Sequence, residues 1–341
     1  MSVEAWKLSF SEGIGHPVIS RNGEPCASVL KGNTKLRPQV RLLANSPFSG
    51  GQAKETLAGC EAWLRSELET HLGPLYRLDA DLAGDPGQTD EASLGGLARG
   101  IAFQLAEHLG ILPRTTVERE LRKVDQEARR GLRRHHIRIG ASNLFIPVLL
   151  KPAATRLRLM LWALWEGRGQ LPEEPAAGMV WSKMAKQVPK DFYRVAGFHP
   201  AGTKAVRVDM VERLADAVRP LGEDHAAFEV SPDIMGLVGL SGRDFAAVMK
   251  AIGYRARRLP ALEKADEGAE TTAQARVETA PRHLFRWAPE GPGKDNGATR
   301  SAGRKGSKKR PRKAEANQPP DPDSPFASLV DLKKMLEKGQ K

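Results

Sequence analysis

Apolar and polar positions alternate with two different periods along this chain. Over residues 5–43 the period is short. Lys7–Phe10, His16–Ser20 and Cys26–Leu30 read as strands of a small β meander. Asn22-Gly23 lies between the last two runs, and Asn-Gly in that position favours a tight hairpin turn. Leu36–Leu43 is read as the start of the first helical element. From residue 51 to 82 the period lengthens. Leu57, Cys60, Leu64 and Leu68 share one side with Trp63, while Lys54, Glu55, Arg65 and Glu69 face away. Gly73-Pro74 is expected to break this run, leaving Leu75–Leu82 as a separate short helix. Ala83–Ala92 reads as a loop. A second stripe follows through Leu94, Leu97, Ile101, Leu105 and Leu109. Gly95, Gly96 and Gly100 interleave with it, which suggests close helix–helix approach. Gly110 and Pro113 end it. Ile137–Pro147 has no helical period and reads as extended or looped. Lys151-Pro152 then opens a helix that is apolar most of the way round, so it is expected at the centre of its domain. Gly167–Gly178 is a linker by its Pro and Gly content. Beyond it a helix is predicted with Asp209 as cap, Glu212 at the reciprocal capping position, and Met210, Leu214 and Val218 toward the core.

Ser231–Tyr254 carries two shorter helical runs. Ser231 is a good N-cap and Pro232 suits the first helical position. Ile234, Met235, Leu237 and Val238 give an apolar side, and Gly239 ends it. Ser241 and Asp244 open a second helix, with Phe245, Val248, Met249 and Ile252 at helical spacing. Two strand-like runs follow, one from Tyr254 and one at His283–Pro289. Helix, turn, helix and two strands is the order of a winged-helix module, which presents its second helix and wing to nucleic acid. Two ordinary packed helices with an edge hairpin fit the same pattern. The pattern as a whole predicts a mainly α protein: a small N-terminal β meander (1–45), a helical domain (46–170), a helical and winged-helix-like module (171–290), a disordered basic linker (291–323) and a short amphipathic terminal motif (324–341).

Charge sharpens this picture. The net charge is +12 and the pI about 9.8, which favours an anionic partner, nucleic acid before membrane. From Gly291 onward 13 Lys/Arg face 6 Asp/Glu, a net of +7. Lys294, Arg300, Arg304, Lys305, Lys308, Lys309, Arg310, Arg312 and Lys313 form a basic arm with Asp295 as the one acid among them. Its composition is that of a disordered segment, and such arms hold nucleic-acid backbone without sequence preference. A solubilising tail is the other reading. Phe326, Leu329, Leu332 and Leu336 share one face after Ser324-Pro325, as in a docking motif for a partner groove or a turn that folds back. Residues 261–280 read as a mobile loop inside the wing. Arg114–Arg138 carries 9 Arg/Lys against 4 Asp/Glu, and its last ten residues contain five arginines, His135, His136 and no acid. This is either a solvated helix face or a ridge for phosphates.

Several function classes drop out. Phosphate-cradling G-x-x-x-x-G-K-[ST], D-E-x-H and G-x-S-x-G patterns are all missing, and no His/Cys/Asp cluster has metal spacing. Cys26 and Cys60 read as buried thiols of a reducing compartment. The N-terminus has no signal pattern and no apolar run is long enough to span a bilayer, so the expected location is cytoplasmic.

Six strings, taken together, resemble one family: GHPVISRNGEPCASVL, SLGGLARGIAFQLAEHLGILPR, FIPVLLKPAATRLRLMLWAL, AVRVDMVERLADAV, SPDIMGLVGLSGRDFAAVMKAIGYR and DPDSPFASLVDLKK. They are similar to the C-terminal accessory region of the alphaproteobacterial helicases akin to the mitochondrial degradosome (Suv-three-like, Ski-two superfamily) RNA helicase, over residues 10–341. The family's ATP-driven motor has no counterpart here. The resemblance therefore implies a nucleic-acid-binding accessory region, RNA more than DNA, without cofactors of its own, since ATP and Mg belong to the missing motor. Expected contacts are Arg129, Arg130, Arg133, Arg134, Arg243, Lys250, Arg255, Arg257, Arg258 and the arm residues Arg304, Lys305, Lys308, Lys309, Arg310, Arg312 and Lys313, with Tyr254 and Trp287 as stacking candidates. Expected partners are a helicase motor or a degradosome nuclease. Two other readings stay open: an interaction scaffold that recruits a nuclease, and a winged-helix DNA-binding regulator.

Overall fold

In the meander, β1 (Trp6–Phe10), β2 (Pro17–Arg21), β3 (Glu24–Leu30) and β4 (Gln39–Leu42) pair antiparallel in chain order. The β2–β3 turn places Asn22 at φ 52° and Gly23 at φ 89°, the left-handed pair that an Asn-Gly hairpin requires. Leu36–Leu43 is not helical, contrary to expectation. β3 leaves an edge of unpaired backbone groups, and β4 satisfies it, with Leu42 opposite Ala27. The burial of β4 alternates residue by residue, the two-residue period of a strand. These coordinates come from a computed structural model, which describes residues 6–10, 15–44, 46–47, 51–83, 94–223, 226–258 and 283–288. The loops expected at 83–92 and 261–280, the basic arm and the terminal motif lie wholly or almost wholly outside them.

Helix α1 (Ala53–Ala83) covers the sheet. Its buried stripe runs Thr56, Cys60, Leu64, Leu68, Leu72, Leu75, Leu78 without interruption. The break expected at Gly73-Pro74 is there: the span is two helices joined across a kink at Leu72 (φ −113°, ψ 16°), because Pro74 has no N–H for the Thr70 carbonyl. Cys26 and Cys60 meet under the sheet with sulfurs 3.9 Å apart. Burial raises both thiols, Cys60 to about 12, so neither is a reactive thiolate.

Helix α2 (Gly96–Glu107) buries Ala98, Ile101, Ala102, Leu105 and Ala106 and leaves Leu97 exposed. Its glycines do not serve close packing, as a Cβ at Gly95, Gly96 or Gly100 would meet nothing within 4 Å. A sheet of order β5-β7-β6 follows, built from β5 (Ile111–Pro113), β6 (Arg138–Ile139) and β7 (Asn143–Phe145). Between β5 and β6 lie α3 (Glu118–Lys123) and α4 (Gln126–Arg134), the latter capped by Asp125. Helix α5 (Pro152–Trp165) buries every residue from Leu157 to Leu164 and is central, as its pattern predicts. Then come β8 (Trp181–Lys183), α6 (Lys190–Val195), β9 (Phe198–Ala201) and β10 (Lys204–Arg207), with sheet order β8-β10-β9.

The remaining described elements are α7 (Val208–Val218), α8 (Pro232–Gly236), α9 (Gly242–Ala251) and the hairpin β11 (Tyr254–Arg258) with β12 (His283–Trp287). Phe228, between α7 and α8, bridges to Phe285 of β12. Val211, Leu214, Val218, Phe245, Val248, Met249, Tyr254 and Phe285 form their core, distinct from the larger one that runs from the meander through α5 and α6.

The mainly α expectation is overturned. The described residues are 48% helical and 21% strand, in four small antiparallel sheets, a mixed architecture. Several of the added strands have two to four residues, too few to print a period on the sequence. Among the described residues no helix is long and apolar enough to cross a membrane.

Candidate nucleic-acid interface

The β11–β12 hairpin carries a basic outer face. Pairing sets Tyr254 against Trp287, Arg255 against Arg286, Ala256 against Phe285 and Arg257 against Leu284. Strand alternation then puts Tyr254, Ala256, Phe285 and Trp287 on one face and Arg255, Arg257, Leu284 and Arg286 on the other. On the first face Tyr254 and Phe285 enter the core, while Ala256 and Trp287 stay exposed. The second holds three exposed arginines, and none of them joins an ion pair among the described residues. Arg255 and Arg286 are directly opposite, where like charges destabilise a strand pair by a few tenths of a kcal/mol or more. Arg258 ends β11 opposite His283. Arg243 at the start of α9 and Lys250 at its end are exposed as well.

Tyr254 is not available for stacking on a base. It is 5% exposed, with its ring edge-on to Phe228 and Trp287 at 5.6 and 5.0 Å. Trp287, at 39% exposed, keeps a face toward solvent.

The arginines of α4 divide. Arg129 donates to the Val124 and Leu121 carbonyls at 3.2 and 3.0 Å, closing the C-terminal end of α3. That is a structural role, which its place in a charge run did not reveal. Arg130, Arg133 and Arg134 are exposed. After α4 the chain turns through His136, whose φ is +59°. The His136 N–H donates to the Arg133 carbonyl and that of Ile137 to Leu132, the paired bonds of a Schellman ending. Glycine normally occupies that left-handed position, and a histidine there carries about 1 kcal/mol of strain. The arm residues Arg304, Lys305, Lys308, Lys309, Arg310, Arg312 and Lys313 lie outside the described residues.

A carboxylate clamp that sequence reasoning misassigned holds this region together. Glu212 does not cap α7. The N-cap is Arg207, and Asp209 forms an ion pair with it. Glu212 is 1% exposed and points into the β6–β7 turn. There it accepts from the backbone N–H groups of Ala141, Ser142 and Asn143 and from the Asn143 side-chain amide. Gly140 makes room, since a Cβ there would sit 2.3 Å from the carboxylate. Burial pushes the Glu212 carboxyl above its ordinary range, against the four donors, which favour the anion. The Asn143 side-chain oxygen takes the network on to Nδ1 of His199, 3.0 Å away. Burial drives the His199 imidazole down to about 4, with the Arg194 charge adding to it.

His199 makes stability depend on pH. Between about 4 and its ordinary value near 6.5 the unfolded chain binds the extra proton, so stability rises with pH across that window and is lost as pH falls through it. The full shift corresponds to roughly 3 kcal/mol, less whatever solvent reaches the ring. Glu212, displaced upward, acts in the opposite sense. Urea unfolding of the wild type and His199→Leu across this window isolates the imidazole. The variant is less stable at neutral pH, and the gap narrows toward pH 4; a constant gap would contradict the assignment.

Among the described residues no group of three or more His, Cys, Asp or Glu could hold a metal ion. The chain matches no protein-family model, no curated protein and no solved structure.

Proposed function

We propose that the chain binds nucleic acid as an accessory to a separate ATP-driven motor, with the β11–β12 hairpin and α9 as the contact surface. The observation that carries this reading is the outward face of the hairpin. Arg255, Arg257 and Arg286 share it with no acid, and two of them are opposed at the expense of strand pairing. Guanidinium groups arranged this way suit successive phosphates, whose charge relieves their mutual repulsion. The element order supports a winged-helix module: α7, the Phe228 bridge, α8, α9, then the hairpin. RNA as the preferred polymer, and a helicase motor as the partner, are supported by the resemblance of the six sequence strings to the helicase accessory region. On this reading the basic arm adds backbone contacts of its own.

A salt titration of binding to a labelled single-stranded RNA tests the surface. Replacing Arg255, Arg257 and Arg286 together with alanine is expected to lower the slope of log K against log[salt] by about 2, since each lost contact on a single strand accounts for about 0.7. The same variant unfolds at slightly higher urea, because an unfavourable like-charge pair is gone. Weaker binding from a more stable protein separates a functional surface from a structural one. An unchanged slope and affinity would remove the hairpin from the interface.

A further inference from the structure

A groove of about 860 Å³ lies at the α1 kink, lined by residues of α1, the end of α4, β6 and the turn after β7. That volume is within the range of small-ligand sites, roughly 300–1,000 Å³. We propose that it holds one nucleotide of a nucleic-acid strand, with the phosphate on Arg77, Arg133 and His136 and the base against Pro74, Ile139 and Val148. The identity of the ligand as part of a strand rests on the nucleic-acid reading above.

Two chemistries meet in this groove. Arg77 and Arg133 are exposed and join no ion pair among the described residues. Arg138 also lines it and reaches Asp216 at 3.6 Å. Glu69 is the one carboxylate among the lining residues. With Arg138 engaged by Asp216, Arg77 and Arg133 against Glu69 leave a charge of +1, which matches the single charge of a backbone phosphodiester. The other wall is apolar, and Val148 stands 37% exposed on it. An inorganic anion would leave that wall unused, and an apolar peptide would leave the arginines unpaired. A nucleotide uses both.

His136 supplies an independent indication. It lines the groove from the left-handed position where glycine would be free of strain. A side chain kept at such a position points to a role for the side chain. Its ring nitrogen adds a donor beside the guanidinium groups.

The test uses the full chain, titrated calorimetrically with a nucleoside 5′-monophosphate, the matching nucleoside and inorganic phosphate. The nucleotide is expected to bind at least roughly tenfold more tightly than either half. Arg77→Ala combined with Arg133→Ala abolishes that advantage. His136→Gly raises the unfolding midpoint without ligand and weakens nucleotide binding several-fold, a pair of opposite effects that a purely structural turn would not give. Equal affinity in the double variant, or a nucleotide that binds no better than phosphate alone, overturns the proposal. The hairpin triple variant keeps mononucleotide binding. A wild-type chain that bound the mononucleotide but no strand would overturn the proposed function and leave the groove standing. Strand binding without mononucleotide binding would do the reverse.

Discussion

Glu212→Ala is expected to lower the unfolding free energy by about 4 kcal/mol, measured by urea denaturation at neutral pH. The carboxylate is the common acceptor for three consecutive backbone N–H groups and one side-chain amide. Its removal leaves those donors facing a space that Gly140 was shaped to concede. Each unsatisfied buried donor costs about 1–3 kcal/mol, and water entering the space recovers part of it. Glu212→Gln keeps the volume and one acceptor oxygen but turns its own NH₂ toward other donors, so about half the loss is expected. The damage should be local at first. Glu212 ties α7, in the second core, to the β6–β7 turn beside the first, so hydrogen exchange at Ala141–Asn143 should accelerate before the α5 core does. A loss below about 1 kcal/mol in the alanine variant would mean that the clamp is ornamental.

The Glu212 clamp also shows why parts of this fold were legible in the sequence and others were not. Asp209 and Glu212 have capping-box spacing, and the spacing is real. The helix starts two residues earlier than the motif implies, with Arg207 as N-cap, because β10 runs directly into α7. A local signal was overruled by a partner 70 residues away. The same holds for the strands. Asn22-Gly23 reveals its hairpin because the turn chemistry is local. Ile111–Pro113 shows nothing, since its partner Asn143–Phe145 is some thirty residues further on. Helices α1 and α5 were readable from the spacing of their apolar residues. Of the described candidate contacts, Arg130, Arg133, Arg134, Arg243, Lys250, Arg255 and Arg257 are where charge and exposure coincide. Tyr254 and Arg129 were misjudged because residue type says nothing about which way a side chain is turned. The groove was invisible in the sequence, as Arg77 and Arg133, which line it together, come from helices far apart in the chain.

Arg158→Ala is expected to cost about 4 kcal/mol, and Arg158→Met only about 1–2. Arg158 is wholly buried in the apolar helix α5, with no carboxylate partner among the described residues. Burial pulls its guanidinium down to about 9, still above neutral pH, so the charge persists. What compensates it is a pair of carbonyls, Leu149 at 2.7 Å and Val195. Both lie at helix C-terminal ends: Leu149 in the 3-10 turn Pro147–Leu150, Val195 at the end of α6. Such carbonyls lack intrahelical donors and carry the negative end of the helix dipole. The guanidinium fork therefore caps two helices at once, while its Nε has no partner. Alanine orphans the Val195 carbonyl, leaves the Leu149 carbonyl only the Thr155 hydroxyl at 3.4 Å, and opens a cavity the length of the lost side chain. Methionine refills the space and removes a buried charge that was never fully satisfied, leaving the two carbonyls as the main loss. The ranking is the informative result. If methionine were as damaging as alanine, the lost bonds to the two carbonyls, and not the cavity, would carry the cost. A harmless alanine would show that neither helix needs the fork.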